Sequence, residues 1–375
     1  VLRIICAVTV ANFFPDSPPV WLLFIGASGS GKTDILEIFR GHDKTQFESK
    51  MTGQTLFSGK QGVGHKIWQF NDQCIFVKDL APMQGGNSDD LKNLFGWLRD
   101  AYDGNVDASW GSGQPDQHWE GKFGLVAAST FAIDAEMSKF SALGERWIRV
   151  NLTTSEQITK TLTHRARLNS SLVGASRERM QEKGHAFLNS LIAKAQTVTA
   201  ENPIECSEEL ADQIEQIAIV GAKLRTPVRM TSQGKYLQSA EPEEPTRLVQ
   251  QLMTLAQSSA LIHDRDHVTS DDIELVLRVA HDGISNRRQR ILRALLEGET
   301  GTRPIARRTG IGHGTCQMEL YMLQEIRVIL MDDKDKWSLS SFIEESIKDS
   351  GLEPSIMNTD LNKKQELDDF ENQQN

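Results

Sequence analysis

Trp21-Leu22-Leu23-Phe24-Ile25 runs without a polar break into Gly26-Ala27-Ser28-Gly29-Ser30-Gly31-Lys32-Thr33, and from there into Asp34-Ile35-Leu36-Glu37-Ile38-Phe39. The first five residues have the length and bulk of a buried parallel strand. The last six have the apolar spacing of a helix. Between them stands the pattern G-x-x-x-x-G-K-[ST], in the strand-to-helix setting that gives it meaning. Glycines allow a turn tight enough for several backbone N–H groups to point at one anion. A helix beginning there turns its positive end to the same anion. Lys32 adds a point charge for β- and γ-phosphates, and the Thr33 hydroxyl suits Mg2+. Gly26, Ser28, Gly29, Ser30, Gly31, Lys32 and Thr33 are therefore the candidate nucleotide contacts, with ATP and Mg2+ as the expected ligands. A plain glycine-rich turn is the structural alternative, and the flanking strand and helix speak against it.

A metal-binding phosphate site needs a carboxylate from a second strand. Cys74-Ile75-Phe76-Val77-Lys78-Asp79-Leu80 has the form, an apolar run ending in an acid. Hydrolysing ATPases usually end this strand Asp-Glu, one acid for the metal and one to polarise water. Here the pair is Lys78-Asp79. Either Asp79 is the metal-side acid and the base lies elsewhere, or Asp79 takes the base position and Lys78 replaces the metal acid. The first is favoured because a lysine repels Mg2+; a simple strand cap is the structural alternative. A third run, Gly124-Leu125-Val126-Ala127-Ala128, ends in Ser129-Thr130, where a small hydroxyl between the other two strands can orient water. Arg146, just ahead of an apolar run at residues 147–152, is positioned to reach a neighbouring subunit's nucleotide as an arginine finger. Its alternative is a surface arginine paired with Glu145.

Composition bounds the rest. The 375 residues allow two or three domains, and 39% hydrophobic with 25% charged is ordinary globular composition, which excludes collagen-like and wholly disordered chains. No apolar stretch approaches the ~18 residues a membrane span needs, so a membrane channel or carrier is excluded. Residues 1–10 are apolar but lack a basic start, which argues against a signal peptide. Cys6, Cys74, Cys206 and Cys316 lie far apart, which predicts a reduced, cytoplasmic setting without zinc. The chain carries 41 basic and 51 acidic side chains, net −10. Net charge does not draw such a protein to nucleic acid, so any DNA contact must be local.

The residues quoted above together resemble the AAA+ ATPases, and within them the minichromosome-maintenance-like branch, with likeness to ATPases of prophages and mobile elements. Ala127-Ala128-Ser129-Thr130 resembles that group's sensor-1 segment, with Ser129 where Asn is usual, and Gly144-Glu145-Arg146 its finger turn. Pro245-Thr246-Arg247-Leu248 and the helix after it, then Val268-Thr269-Ser270-Asp271-Asp272 and its helix, resemble the lid; Arg247 stands at its sensor-2 position, which reaches the γ-phosphate. Apolar spacings of three and four independently make both lid segments amphipathic helices, and Thr269 with Asp272 approximates a capping box. The resemblance implies an α/β P-loop AAA+ parallel-sheet core at residues 1–152, a helical lid at 153–283, and assembly into a homo-oligomer. In that branch residues 104–120, with Trp110 and Trp119, fall where a hairpin faces a ring pore. Trp110 could stack on single-stranded DNA there; half-buried turns are the bland alternative.

Residues 284–340 read as a helix, a short helix and turn, a longer helix and a two-stranded ribbon, an order that resembles a winged helix-turn-helix. Ten basic against seven acidic residues give it a net +3. Arg303, Arg307 and Arg308 are candidate phosphate contacts, and His313, Thr315 and Gln317 candidate base-edge contacts on the second helix. Winged domains also bind proteins. Residues 341–375 hold nine acids against three lysines and are expected to be disordered. The function expected is an ATPase coupled to DNA, as a helicase or replication initiator of a phage or mobile element. The alternative is a slowly hydrolysing, nucleotide-gated regulatory switch. No N-K-x-D signature supports a GTPase.

Overall fold

The computed structural model describes residues 1–49, 51–57, 66–80, 88–109, 116–133, 146–152, 160, 163–164, 167, 173–228 and 241–357. Its strands are β1 (Trp21–Gly26), β2 (Thr45–Glu48), β3 (Cys74–Val77), β4 (Asn105–Ala108), β5 (Gln117–Glu120), β6 (Gly124–Ser129), β7 (Trp147–Leu152), β8 (Ile329–Met331) and β9 (Trp337–Leu339). Five of them form one parallel sheet in the order β2-β3-β6-β1-β7. Every residue of β1, β3 and β6 is buried, the mark of strands covered on both faces. The fold is thus mixed α/β with a parallel core, and the three runs read as strands are its three central strands.

The helices are α1 (Leu2–Ala11), α2 (Lys32–Leu36), α3 (Gly53–Leu56), α4 (Ser88–Tyr102), α5 (Val173–Ala195), α6 (Glu208–Arg225), α7 (Thr246–Ile262), α8 (Ser270–Gly283), α9 (Asn286–Leu296), α10 (Thr302–Thr309), α11 (His313–Glu325), α12 (Ser341–Asp349) and α13 (Glu353–Met357). On one face of the sheet Trp21, Leu23, Ile75, Val77 and Leu125 pack with Leu94 and Leu98 of α4 and with Val106 and Trp119 of the antiparallel β4–β5 hairpin. On the other, the Phe76 ring stacks between Phe39 and Phe47 at 5.5 and 4.9 Å. Helix α5 lies along the 3-10 turn Glu37–Phe39 that follows α2. Its Gly184 sits so close that a Cβ would stand 2.5 Å from Ile38 Cγ2.

The described chain gathers into units that are not continuous in sequence. It forms two compact units, Val1–Glu205 with Thr254–Val268, and Cys206–Met253 with the chain from Thr269 on. Residues after 152 join the first unit because their polar groups are used there: Gln181 Nε2 donates to the Glu37 carbonyl at 3.0 Å, and Arg3 Nη2 to Ser259 Oγ at 2.8 Å. The Glu205 N–H likewise reaches the Asp266 carbonyl at 2.9 Å.

In the second unit α9, α10 and α11 precede the antiparallel β8–β9 ribbon, the order read from the sequence. Gly310 ends α10 at φ 66°, a left-handed cap. The Thr269–Asp272 capping box opens α8 as expected. Arg288 ties the unit together: it donates to the Glu319 carboxylate at 2.9 Å and to the carbonyls of Leu224 and Thr226 at 2.7 and 2.6 Å. The expectation of disorder from residue 341 is corrected. Residues 341–357 include α12 and α13, with Ile343, Ile347, Leu352 and Ile356 fully buried. Arg293 also donates to the Ile356 carbonyl at 2.9 Å. The spacing of four in Ile343/Ile347 and Leu352/Ile356 is a helical apolar stripe that high net acidity hides. Residues 358–375, and Trp110, lie outside the described residues. Trp119 is fully buried rather than half-buried, and His118 pairs with Asp107 at 2.8 Å.

Candidate functional site

Strand β1 ends at Gly26, and the chain turns through Ala27–Gly31 before α2 starts at Lys32. Gly29 and Gly31 have φ of 75° and 85°, a region costly for any side chain, so the turn depends on glycine at both. Gly26 is required for a different reason, since a Cβ there would lie 2.9 Å from Ser30 Oγ and 3.1 Å from Leu152 Cβ. Ser28 and Thr33 are exposed, so the outer side of the loop faces solvent. Helix α2 is one short turn that tightens to 3-10 at Glu37, so the loop offers an anion its backbone amides more than a long macrodipole.

Lys32 folds back over this loop. Its Nζ donates to the carbonyls of Gly26 and Ala27, both at 2.8 Å. Partial burial pushes its pKa down from the ordinary lysine value, and the nearby Asp79 carboxylate opposes that shift. The acid read from the second strand is therefore close to the lysine read from the first.

Strand β6 lies between β1 and β3, with Ile25 opposite Ser129 and Val77 opposite Ala127. Two residues further, the same register sets Asp79 level with Ser129, and the Leu80 N–H holds the chain there by bonding to the Ala128 carbonyl at 2.9 Å. Asp79, Ser129 and the phosphate-type loop thus meet at the carboxyl ends of three adjacent strands, where open α/β sheets bind ligands. Ser129 is fully buried, and among the described residues its Oγ meets no hydrogen-bond partner; the same holds for Ser30 Oγ. Two unsatisfied hydroxyls beside one glycine turn suit a ligand that accepts hydrogen bonds.

Lys78 is not directed at a metal site. Its ammonium bonds to Glu37 Oε1 at 2.8 Å, and Arg40 Nε holds Glu37 Oε2 at 2.5 Å. Glu37 went unnoticed in the sequence. The signal was its place four residues after Thr33, on the same side of the helix.

Arg146 is held by residues of its own unit. Its side chain is 9% exposed and donates from Nη2 to Asp103 Oδ2 at 2.8 Å, with the guanidinium 5.8 Å from the Tyr102 ring. The side chain thus lies against its own unit in this conformation; Gly144 and Glu145 lie outside the described residues. Arg247 is half-buried in the first turn of α7 and belongs to the second unit.

Of the candidate DNA contacts, Arg303, Arg307, His313 and Thr315 are exposed and Gln317 is half-buried. Arg308 is exposed but bonded to Glu297 at 2.6 Å. Arg288, Arg290 and Arg293, which contribute to the net positive charge, each donate to Glu319 or to backbone carbonyls of the unit itself. The ribbon turn carries Asp332, Asp333 and Asp335 against Lys334 and Lys336, all exposed. No protein-family model matches the chain, and no curated protein matches it in sequence.

Proposed function

We propose that the chain is an ATP-binding ATPase of the AAA+ type whose second unit engages DNA through a winged helix-turn-helix. The observation that carries the nucleotide part is the glycine turn at residues 26–33, with two positive-φ glycines, Lys32 folded across it and Asp79 as the facing charge. Backbone amides of residues 29–33 would take the β-phosphate, and Lys32 would exchange its loop carbonyls for phosphate oxygens. Ser129 would hold a water or a phosphate oxygen, the partner its hydroxyl calls for. Thr33 and Asp79 would hold Mg2+, which supplies positive charge to the phosphates.

For DNA, the support is the exposed basic pair Arg303 and Arg307 on α10 beside the exposed start of α11. A homo-oligomer loses the support expected from Arg146, since Asp103 engages that side chain. The second reading, a slowly hydrolysing nucleotide switch that binds protein, is favoured by two observations: Lys78 stands where an acid is usual and is held by Glu37, and the ribbon turn is acidic. Steady-state phosphate release against protein concentration, with and without single- and double-stranded DNA, separates the two. Turnover that rises with DNA supports the motor. Tight ATP binding with turnover indifferent to DNA overturns it in favour of the switch.

A further inference from the structure

We propose that Glu37 and Lys78 are a positioning pair that holds the Asp79 strand end against the helix carrying Lys32 and Thr33; this rests on the nucleotide-site reading above. Three anchors define the geometry. The Lys78 N–H bonds to the Glu48 carbonyl at 3.2 Å, and the Leu80 N–H to the Ala128 carbonyl at 2.9 Å, so Asp79 is fixed between two neighbouring strands. The Glu37 N–H bonds to the Thr33 carbonyl, and the Glu37 carbonyl accepts from Gln181 Nε2 at 3.0 Å, so Glu37 is fixed to the end of the phosphate-loop helix. The Lys78–Glu37 bond at 2.8 Å joins the two groups.

Charge neutralisation alone does not account for Lys78. Arg40, three residues on and just past the end of the 3-10 turn, already meets the Glu37 carboxylate and also lies 4.2 Å over the Phe47 ring. The second cation adds a link from helix to strand. Burial works against the Glu37 carboxylate, but the hydrogen bonds and charges of Arg40 and Lys78 outweigh it and keep its pKa below the ordinary glutamate value. Lys78 is a third exposed, and an ion pair of that exposure contributes little to stability. What it fixes is where Asp79 stands relative to Lys32, and reacting groups are sensitive to such placement: a displacement of about 1 Å can cost roughly a hundredfold in rate.

The test compares Lys78→Met, Glu37→Gln and the double variant with the unaltered full chain, using ATP·Mg affinity by calorimetry and the single-turnover hydrolysis rate. We expect each single change to slow hydrolysis roughly ten- to hundredfold with affinity unchanged. The double variant should be no slower than the slower single, because the two side chains act through one bond. Full rate in either single variant overturns the proposal. So do additive losses in the double, and affinity falling in parallel with rate. If a variant does not melt cooperatively, Glu37→Asp takes its place, keeping the charge and shortening the reach, and the same split of rate from affinity is required of it. An unaltered chain that binds no ATP defeats the nucleotide reading itself, before any substitution is made. One that binds ATP but never hydrolyses it leaves that reading standing and overturns the positioning role.

Discussion

Arg146→Ala separates a structural arginine from a finger, and the structure sets the size of the effect. Arg146 is 9% exposed and its partner Asp103 49% exposed, so their bond is neither fully buried nor open. Removing one partner of a buried pair costs about 3–5 kcal/mol, and a fully exposed pair contributes about 0–1. With Asp103 half in water, about 2 kcal/mol is the reasonable middle. The guanidinium at 5.8 Å from the Tyr102 ring adds roughly 0.5 kcal/mol. For a unit of this size each kcal/mol moves the melting temperature by about 2–4 °C, which gives a drop of roughly 5–10 °C. Asp103→Asn should lower it less, because a neutral amide still accepts the bond. The assay is thermal unfolding by circular dichroism, paired with ATP affinity, which should not change below the transition. An unchanged melting temperature with turnover lost, and recovered by mixing in chains that carry Arg146 but lack Lys32, would refute the reasoning and restore the finger.

Other consequences follow the same lines. Arg288→Met leaves the buried Glu319 carboxylate without its cation and should destabilise the second unit by about 3–5 kcal/mol, read by urea unfolding. Arg308→Ala, on an exposed side chain, should leave stability unchanged in the same assay. Truncation after Ser340 removes four fully buried aliphatic side chains at about 1.5–3 kcal/mol each, comparable with a domain's whole stability, so the unit should lose cooperative unfolding. Truncation after Met357 should leave the transition unchanged. If the second unit binds DNA, Arg303→Ala and Arg307→Ala should each weaken binding alike across sequences and lower the salt dependence by about one phosphate contact, measured by fluorescence anisotropy.

What could be read from the sequence was local. The glycine turn, each of the three central strands, the Thr269–Asp272 capping box and each element of the helix–helix–helix–ribbon order declare themselves within about a dozen residues. What could not be read depended on partners far along the chain. Arg146 reads as a finger because it stands just ahead of the apolar run at residues 147–152, whereas Asp103, the residue that engages it, lies 43 residues away in sequence. The Lys78-Asp79 pair was ambiguous because Lys78 is held by Glu37 on the phosphate-loop segment. Acidity concealed the apolar stripe of residues 343–356, and the packing of α5 on the segment after α2 through Gly184, Gln181 and His185 joins residues some 145 apart in sequence.

The central claim is that the turn at residues 26–33 grips a triphosphate, and calorimetric titration of ATP·Mg into the full chain and into Lys32→Ala tests it most directly. A phosphate charge about 4 Å from the ammonium contributes about 4 kcal/mol at an effective dielectric constant near 20. Lys32 must first give up its bonds to the Gly26 and Ala27 carbonyls, at about 1 kcal/mol or less each, which leaves roughly 2–3 kcal/mol. The account predicts saturable one-site binding to the unaltered chain, weakened about 30- to 150-fold in the variant. Equal affinity in both, or no binding to the unaltered chain, would contradict it.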